Sequence, residues 1–324
     1  MKENHKFFKK KILPVDKFLQ NVLYDKKIGY YNSRFPFGAK GDFITAPKIS
    51  SLFSEMIAIW IIYTWEKIGK PKFLNIIELG PGDGSLAKEL LKVFERFSEF
   101  NSVHNFYLYE KSNLLINFQK NNIKNKKVKW IKNFKKIKKG PVIFFGNEFF
   151  DAIPIKQFKK EKKDILEKYL VLKENNKIKN IFKKAKKEDL NMIKKYKSLR
   201  NLKFIEFPKN GLEELEKITR VISKQKGCLL IIDYGYLKSK SADTLQSVKN
   251  HKKNYLFNDL GKADITSHVN FSLLKEYFIK NKMKVKKVIT QREFLKKMGI
   301  LKRAEIISKN MKFSDQSNLY FRLK

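Results

Sequence analysis

Sulfur and imidazole chemistry are the first things this chain is short of. Cys228 is the one cysteine among 324 residues, so neither an internal disulfide nor a thiolate metal cluster is available. It lies in an apolar run with no adjacent base, which reads as a buried structural thiol and not as a nucleophile. The four histidines, His5, His104, His251 and His268, show no ligand-type spacing, and no metal is expected. Long hydrophobic runs are missing too. The longest apolar helix candidate, 56–65, is too short for a bilayer and is bounded by Glu55 and Glu66, so no membrane insertion is expected. Lys6, Lys9, Lys10 and Lys11 precede no apolar stretch and lack the arginine and serine of a transit peptide. The expectation is a cytoplasmic, bacterial-type protein with no signal or transit peptide.

Arginine is scarce as well. The formal net charge is +40, yet only seven of the 72 basic residues are arginine, and Asn, Ile and Phe are abundant. Lysine meets phosphate as a point charge, whereas arginine is the commoner residue for bidentate recognition. The mixture looks like codon bias toward A and T, with lysine at solvated positions. It leaves a nucleic-acid partner open without favouring one. Hydrophobic content of 42% and aromatic content of 14% supply a sizeable core and exclude global disorder.

The chain divides into four regions by its patterns. Residues 1–72 read as a helical N-terminal cap, with an amphipathic helix over 15–23, an aromatic and glycine-rich loop, and a helix opening near Pro47 and running to about Ile68. Residues 73–154 alternate strand and helix signals: strands over 73–79, 105–109, 128–131 and 141–145, helices over 86–97 and 114–121. Residues 155–210 break that rhythm with a lysine-rich hairpin and read as an insertion shaping a substrate cleft. Residues 211–324 resume the core with helices over 212–224, 273–282 and 294–298 and strands over 228–232, 285–289 and 319–323. The fold class expected is α/β, a Rossmann-like parallel sheet with right-handed crossovers.

The most informative stretch is Glu78-Leu79-Gly80-Pro81-Gly82-Asp83-Gly84-Ser85, between the first core strand and its helix. Glycines there let a ligand approach the backbone closely. Ser85 stands where a dinucleotide fingerprint needs glycine, and no Gly-Lys-Ser/Thr follows for a P-loop. Glu78 repels a polyphosphate and suits a cationic ligand such as S-adenosyl-L-methionine. Ligands of such sheets sit at the carboxyl ends of the strands. Glu110, after the second strand, either accepts hydrogen bonds from both ribose hydroxyls or is a plain strand-end surface acid, and the glycine turn favours the first. Asn133, after the third, either approaches an adenine edge or is an ordinary loop asparagine. After the fourth strand come Asn147, Glu148 and Asp151 among aromatics, followed by Asp233 after the fifth. The pair Glu148 and Asp151 either grips a cation such as a guanidinium or belongs to a capped loop. The loop carrying Gly41, Asp42 and Thr45 either folds over the cofactor or is turn chemistry only.

Gly-Tyr-Tyr (29–31), Gly-Asp-Phe-Ile-Thr-Ala-Pro (41–47), Glu-Leu-Gly-Pro-Gly (78–82) and Asn-Glu-Phe-Phe-Asp-Ala-Ile-Pro (147–154) together resemble the MidA-type family. Ile-Asp-Tyr-Gly (232–235), Asp-Thr-Leu-Gln (243–246), Ala-Asp-Ile-Thr-Ser-His-Val (263–269) and Gln-Arg-Glu-Phe-Leu (291–295) extend the likeness. The family contains the mitochondrial complex I assembly factor, a class I S-adenosyl-L-methionine-dependent protein arginine methyltransferase. The resemblance implies that cofactor, held by Glu78, Gly80, Pro81, Gly82, Gly84, Glu110, Asn133, Gly41, Asp42 and Thr45. It implies symmetric dimethylation of an arginine on a protein partner such as a complex I subunit, with Glu148, Asp151 and Asn147 as the catalytic set. Lys48 stands where the family usually has an acid, and Asp83 where it usually has a basic residue. Methylation of RNA or of a small amine is the alternative, and a non-catalytic assembly chaperone on the same fold is the alternative of another class.

Overall fold

The structure, a computed structural model, describes residues 4–34, 51–238 and 240–323. The chain opens with strand β1 (Ile12–Pro14), helix α1 (Val15–Tyr24) and a single turn, α2 (Tyr30–Ser33). Helix α3 (Ser51–Lys67) then leads to β2 (Leu74–Leu79), α4 (Ser85–Glu95), α5 (Ser98–Val103) and β3 (His104–Tyr109). Next come α6 (Asn113–Asn122), β4 (Val128–Ile131) and β5 (Val142–Asn147). The inserted region holds β6 (Lys156–Glu161), β7 (Asp164–Leu172), β8 (Ile178–Lys184), α7 (Lys187–Lys194) and β9 (Phe204–Phe207). After α8 (Lys209–Gln225) and β10 (Gly227–Ile232) come five short strands. These are β11 (Gly235–Tyr236), β12 (Gln246–Lys249), β13 (Lys252–Asn254), β14 (Asp264–Thr266) and β15 (Val269–Asn270). Four helices follow: α9 (Phe271–Lys280), α10 (Gln291–Lys297), α11 (Ile300–Ser308) and α12 (Phe313–Leu323).

The core is a parallel sheet in the order β10-β5-β2-β3-β4. All six residues of β2 are buried, as expected for a central strand covered on both faces. Its side chains alternate between the two covers. Leu74 and Ile76 pack with Phe53, Ile57 and Ile61 of α3 and with Leu86, Leu90 and Phe94 of α4. Ile77 and Leu79 pack with Leu215, Ile218 and Ile222 of α8. From β2 the strand order runs outward through β3 to β4 on one side, and through β5 to β10 on the other. That reversal opens a crevice at the carboxyl ends of β2 and β5, where ligands of such sheets bind.

A second, antiparallel sheet runs β1-β7-β6-β9, with β8 pairing β7. Ile12 lies opposite Val171, so the N-terminal strand and the insertion fold together. Buried Lys156 on β6 reinforces this: its ammonium lies 2.5 Å from Glu167, 3.2 Å from Asp189 and 3.9 Å from Asp16 of α1.

Two expected strands are absent. Residues 285–289 take no strand pairing, and β10, only half-buried, is the sheet's edge. Residues 319–323 belong to α12. Leu319 and Leu323, one helical turn apart, pack beside Leu52 and Met56 of α3 and Ile300 and Ala304 of α11. A short apolar run fits either period, and here the helical one prevails. No described helix is long and apolar enough to cross a membrane.

Candidate active site

The glycine turn is built from left-handed backbone, with φ of 61° at Gly80, 56° at Gly82 and 79° at Gly84. A Cβ on Gly80 would stand 2.6 Å from Phe149 Cδ2, and one on Gly84 2.8 Å from Ile123 Cδ1. The turn is braced from below by Gln119, a fully buried polar residue on α6. Its amide donates to the Gly82 carbonyl at 2.8 Å, and its oxygen accepts from Trp130 Nε1 at 2.9 Å. Nothing in the glycine motif pointed to Gln119. The available signal was a polar residue in line with Leu115 and Ile116 on the inward face of a helix.

The turn borders a cleft of about 1140 Å³ at the carboxyl end of the sheet. Glu78, Gly80, Pro81, Gly82, Glu110, Asn147, Glu148 and Asp151 all line it, so the structure gathers most of the expected site. Gly84 does not line it. Its left-handed φ starts α4, with Ile123 packed where a side chain would go. Asn133 does not line it either. Its Oδ1 accepts from the Lys135 amide at 3.1 Å and caps the turn over Phe134–Lys136, so that oxygen is already committed to the backbone. Gly41, Asp42 and Thr45 lie outside the described residues, as do Pro47 and Lys48.

On the side of the glycine turn, Glu78 is 3% exposed and its Oε2 has no hydrogen-bond partner. Burial, reinforced by Asp83, pushes its carboxyl up to about 8. A buried carboxylate with a free oxygen is a socket for a cation. Glu110 accepts from the amides of Lys111 and Ser112 at 2.7 and 2.8 Å, and burial raises its carboxyl despite those bonds.

On the opposite side, Glu148 adopts φ of 52°, a left-handed backbone rare for a side chain with a Cβ. Its amide is held by the Ile232 carbonyl at 2.9 Å. Left-handed residues of this kind cluster at functional sites, where the surroundings enforce them. Asp151 is 7% exposed and its Oδ1 has no partner. Burial, then Asp233, Asp264 and Glu148, hold its carboxyl well above the usual range. Asp233 fixes this loop: one oxygen accepts from Phe150 and Asp151 amides at 2.9 and 3.3 Å, the other from Tyr234 at 2.9 Å. Burial pushes Asp233 up to about 7 against the pull of those bonds.

A further wall of the cleft comes from residues that were not expected in the site. They belong to α1 and α2, through Tyr24 and Tyr31, and to the small sheet of β12 and β14, through Gln246, Asp264 and Thr266. Tyr31, Gln246, Asp264 and Thr266 lie within the motifs 29–31, 243–246 and 263–269. Of the described residues in the expected insertion, 155–210, Asn210 at the start of α8 lines the cleft and the others do not. The rest of the insertion reaches it from behind, through Lys156 and the sheet that backs α1. Among the described residues, the lining holds eight carboxylates, from Glu78, Asp83, Glu110, Glu148, Asp151, Glu213, Glu214 and Asp264, against three lysines, Lys26, Lys111 and Lys132. A cleft this acidic in a chain of net charge +40 favours cations and disfavours phosphate. Among the described residues, no cluster is arranged to hold a metal ion. Cys228 sits half-buried on β10, with its thiol pushed up to about 12 by burial.

The sequence profile of the family described as Putative S-adenosyl-L-methionine-dependent methyltransferase matches residues 56–289. The chain is 31% identical to the protein arginine methyltransferase NDUFAF7 homolog, mitochondrial, of Caenorhabditis elegans, over 97% of this chain and 82% of that protein. It is 29% identical to protein arginine methyltransferase NDUFAF7, mitochondrial, of Danio rerio, over 91% of this chain and 75% of that protein. Its fold is shared with a Burkholderia thailandensis protein crystallised with S-adenosyl-homocysteine. There the TM-score is 0.76 at 19% identity, covering 96% of this chain and 83% of the other.

Proposed function

Because this chain belongs to that family of S-adenosyl-L-methionine-dependent methyltransferases, we propose that it methylates an arginine side chain of a partner protein. One observation supports this reading above the rest: the eight carboxylates that line the cleft of a strongly basic protein. The residues present suit the cofactor. Glu78 would offer an unpartnered buried oxygen to its cationic end, Gly80 and Gly82 beside Pro81 would let it approach the backbone closely, and Glu110 would accept from the ribose hydroxyls. Bound there, the cofactor supplies an electrophilic methyl group on a positively charged sulfur.

The rest of the chemistry belongs to the protein. Glu148 and Asp151 grip the guanidinium by charge-assisted hydrogen bonds and turn one nitrogen toward the methyl. Asn147, beside them with its amide 3.5 Å from Glu148 Oε1, orients that carboxylate. An arginine has a pKa of about 13.8, so it arrives charged. Its charge favours the ionised form of the two acids, whose carboxyls burial otherwise raises. Methylation of a guanidinium releases one proton, and Asp151, with a free oxygen and a raised carboxyl, receives it.

The division into a cap (1–72), a cofactor-binding half (73–154), an insertion (155–210) and the remaining core (211–324) is part of the proposal. In it the insertion positions α1 against the cleft. Symmetric dimethylation and a respiratory complex I subunit as partner come from the family resemblance alone. A cytoplasmic location is proposed with them, while the relatives named above carry mitochondrial titles. RNA and a non-catalytic chaperone role are disfavoured by the acidic cleft and by the intact glycine turn. The test is transfer from methyl-labelled S-adenosyl-L-methionine into a cell extract. Label on protein arginine supports the reading, and label confined to RNA or small amines sinks it.

A further inference from the structure

Asp264 lines the cleft from β14, beside the loop that carries Asp151. Its backbone is fixed by pairing with Val248 of β12, and the residue is 3% exposed. Tyr31 Oη donates to Asp264 Oδ1 at 3.0 Å. Tyr31 stacks on Tyr24, with ring centroids 5.4 Å apart and planes 26° from parallel, and Tyr24 Oη donates to the Ala152 carbonyl at 2.9 Å. The Ser267 amide donates to the Asp151 carbonyl at 3.0 Å. Two independent ties therefore fix the Asp264 strand against the Asp151 loop at the edge of the cleft. The same tyrosine is tied to the cofactor side, because Ser112 Oγ donates to the Tyr31 carbonyl at 2.8 Å.

Two acids suffice to neutralise and orient a lysine ammonium, which is a compact charge with three rotatable donors. A guanidinium presents five N–H groups around the edge of a plane and needs acceptors on more than one side. We propose that Asp264, held by Tyr31, is a third carboxylate contact for the acceptor guanidinium, and that this third contact selects arginine over lysine. The inference rests on the arginine reading above. Asp264 is a substrate contact, and Tyr31 is a positioning residue that acts through it.

The experiment measures binding of methylguanidine and methylamine, both as hydrochlorides, to the S-adenosyl-homocysteine-loaded protein by NMR titration. The wild type should prefer methylguanidine by about tenfold or more, since a charge-assisted hydrogen bond contributes at that scale. Asp264→Asn, which keeps the shape, should cut the preference to about twofold while the nucleoside still binds. Tyr31→Phe, which removes only the hydroxyl, should cut it about threefold. If Asp264→Asn loses nucleoside binding, Tyr31→Phe alone decides by the same measure. A preference unchanged in both variants overturns the role of Asp264 and leaves the arginine reading standing. A wild type with no preference overturns the arginine reading, and the role of Asp264 with it.

Discussion

The outer sheet and the cleft carry opposite charge within one chain. Along β8 five of seven residues are exposed, with Lys179, Lys183 and Lys184 turned to solvent. Lys184 finds Asp164 at 3.6 Å, an exposed pair of little energetic weight. In the cleft Glu78 and Asp151 are buried, each with an oxygen left unpaired, and burial raises both carboxyls. Basic residues outnumber acids 72 to 32 in the whole chain, yet around the cleft it is the acids that sit where desolvation makes a charge consequential. Net charge describes the surface, and the site is described by what has been removed from water.

If the comparison is right, the largest effects come from the fewest atoms. Glu148→Gln and Asp151→Asn should each lower turnover by about a hundredfold or more, as expected when an orienting or proton-accepting group is removed. Calorimetry should find S-adenosyl-L-methionine affinity within about threefold of wild type, since neither residue belongs to the glycine-turn side. Equal loss of binding and turnover would merge the two sides of the cleft into one structural unit.

Gly80→Ala ranks next. Its Cβ would meet Phe149 Cδ2 at 2.6 Å, and its φ of 61° would add strain of ~1–2 kcal/mol. Cofactor affinity should fall about tenfold or more, because each 1.4 kcal/mol is a factor of ten. Gly80→Ala combined with Phe149→Leu should recover part of the loss, leaving the backbone strain. Full recovery would show that the ring alone closes the turn.

Most of this site was legible because parallel β-α units put chemistry at strand ends, and strand ends can be counted along a sequence. Glu78, Glu110, Glu148 and Asp151 were found that way. Tyr24, Tyr31 and Asp264 were not, because their meeting depends on how α1, α2 and β14 close over the sheet. Tyr31 and Asp264 lie in the motifs 29–31 and 263–269, but their contact, across more than two hundred residues, is not readable from either motif. Asn133 is the counter-case. It stands at a strand end but spends its side-chain oxygen on a helix cap, a competing use that the same residue type favours. The edge at β10 and the helix over 313–323 show that five-residue apolar runs do not declare their period.

A smaller effect is expected from pH. Glu78 is pushed up to about 8 in the folded protein, so it is largely protonated at pH 6.5 when the cleft is empty. A raised folded pKa for an acid means that the folded state holds the proton more tightly than the unfolded chain. Its stabilising contribution is present at low pH and declines as pH rises from the ordinary carboxylate range toward about 8. A cationic cofactor prefers the ionised form. Affinity for S-adenosyl-L-methionine should therefore rise between pH 6.5 and about 8, by at most about tenfold per unit for one proton released. Glu78→Gln should bind more weakly and lose that slope. A slope that survives the substitution assigns the proton to another group.

The smallest effect tests the outer sheet itself. Lys160, Lys163 and Lys179 are exposed, and none lines the cleft. Reversing all three to glutamate should change turnover on an arginine peptide by less than about twofold at 0.15 M salt, where the Debye length is about 8 Å. Retention on RNA or heparin should weaken in the same variant, because that binding follows surface charge. At about 0.01 M salt the screening length grows to about 30 Å, and the remaining positive field then reaches a cationic cofactor entering the cleft. There the reversed variant should bind S-adenosyl-L-methionine faster than the wild type, and the advantage should vanish as salt is added. Turnover that collapses at 0.15 M salt would mean that the lysines dock the partner protein, and the two regions would then act as one surface.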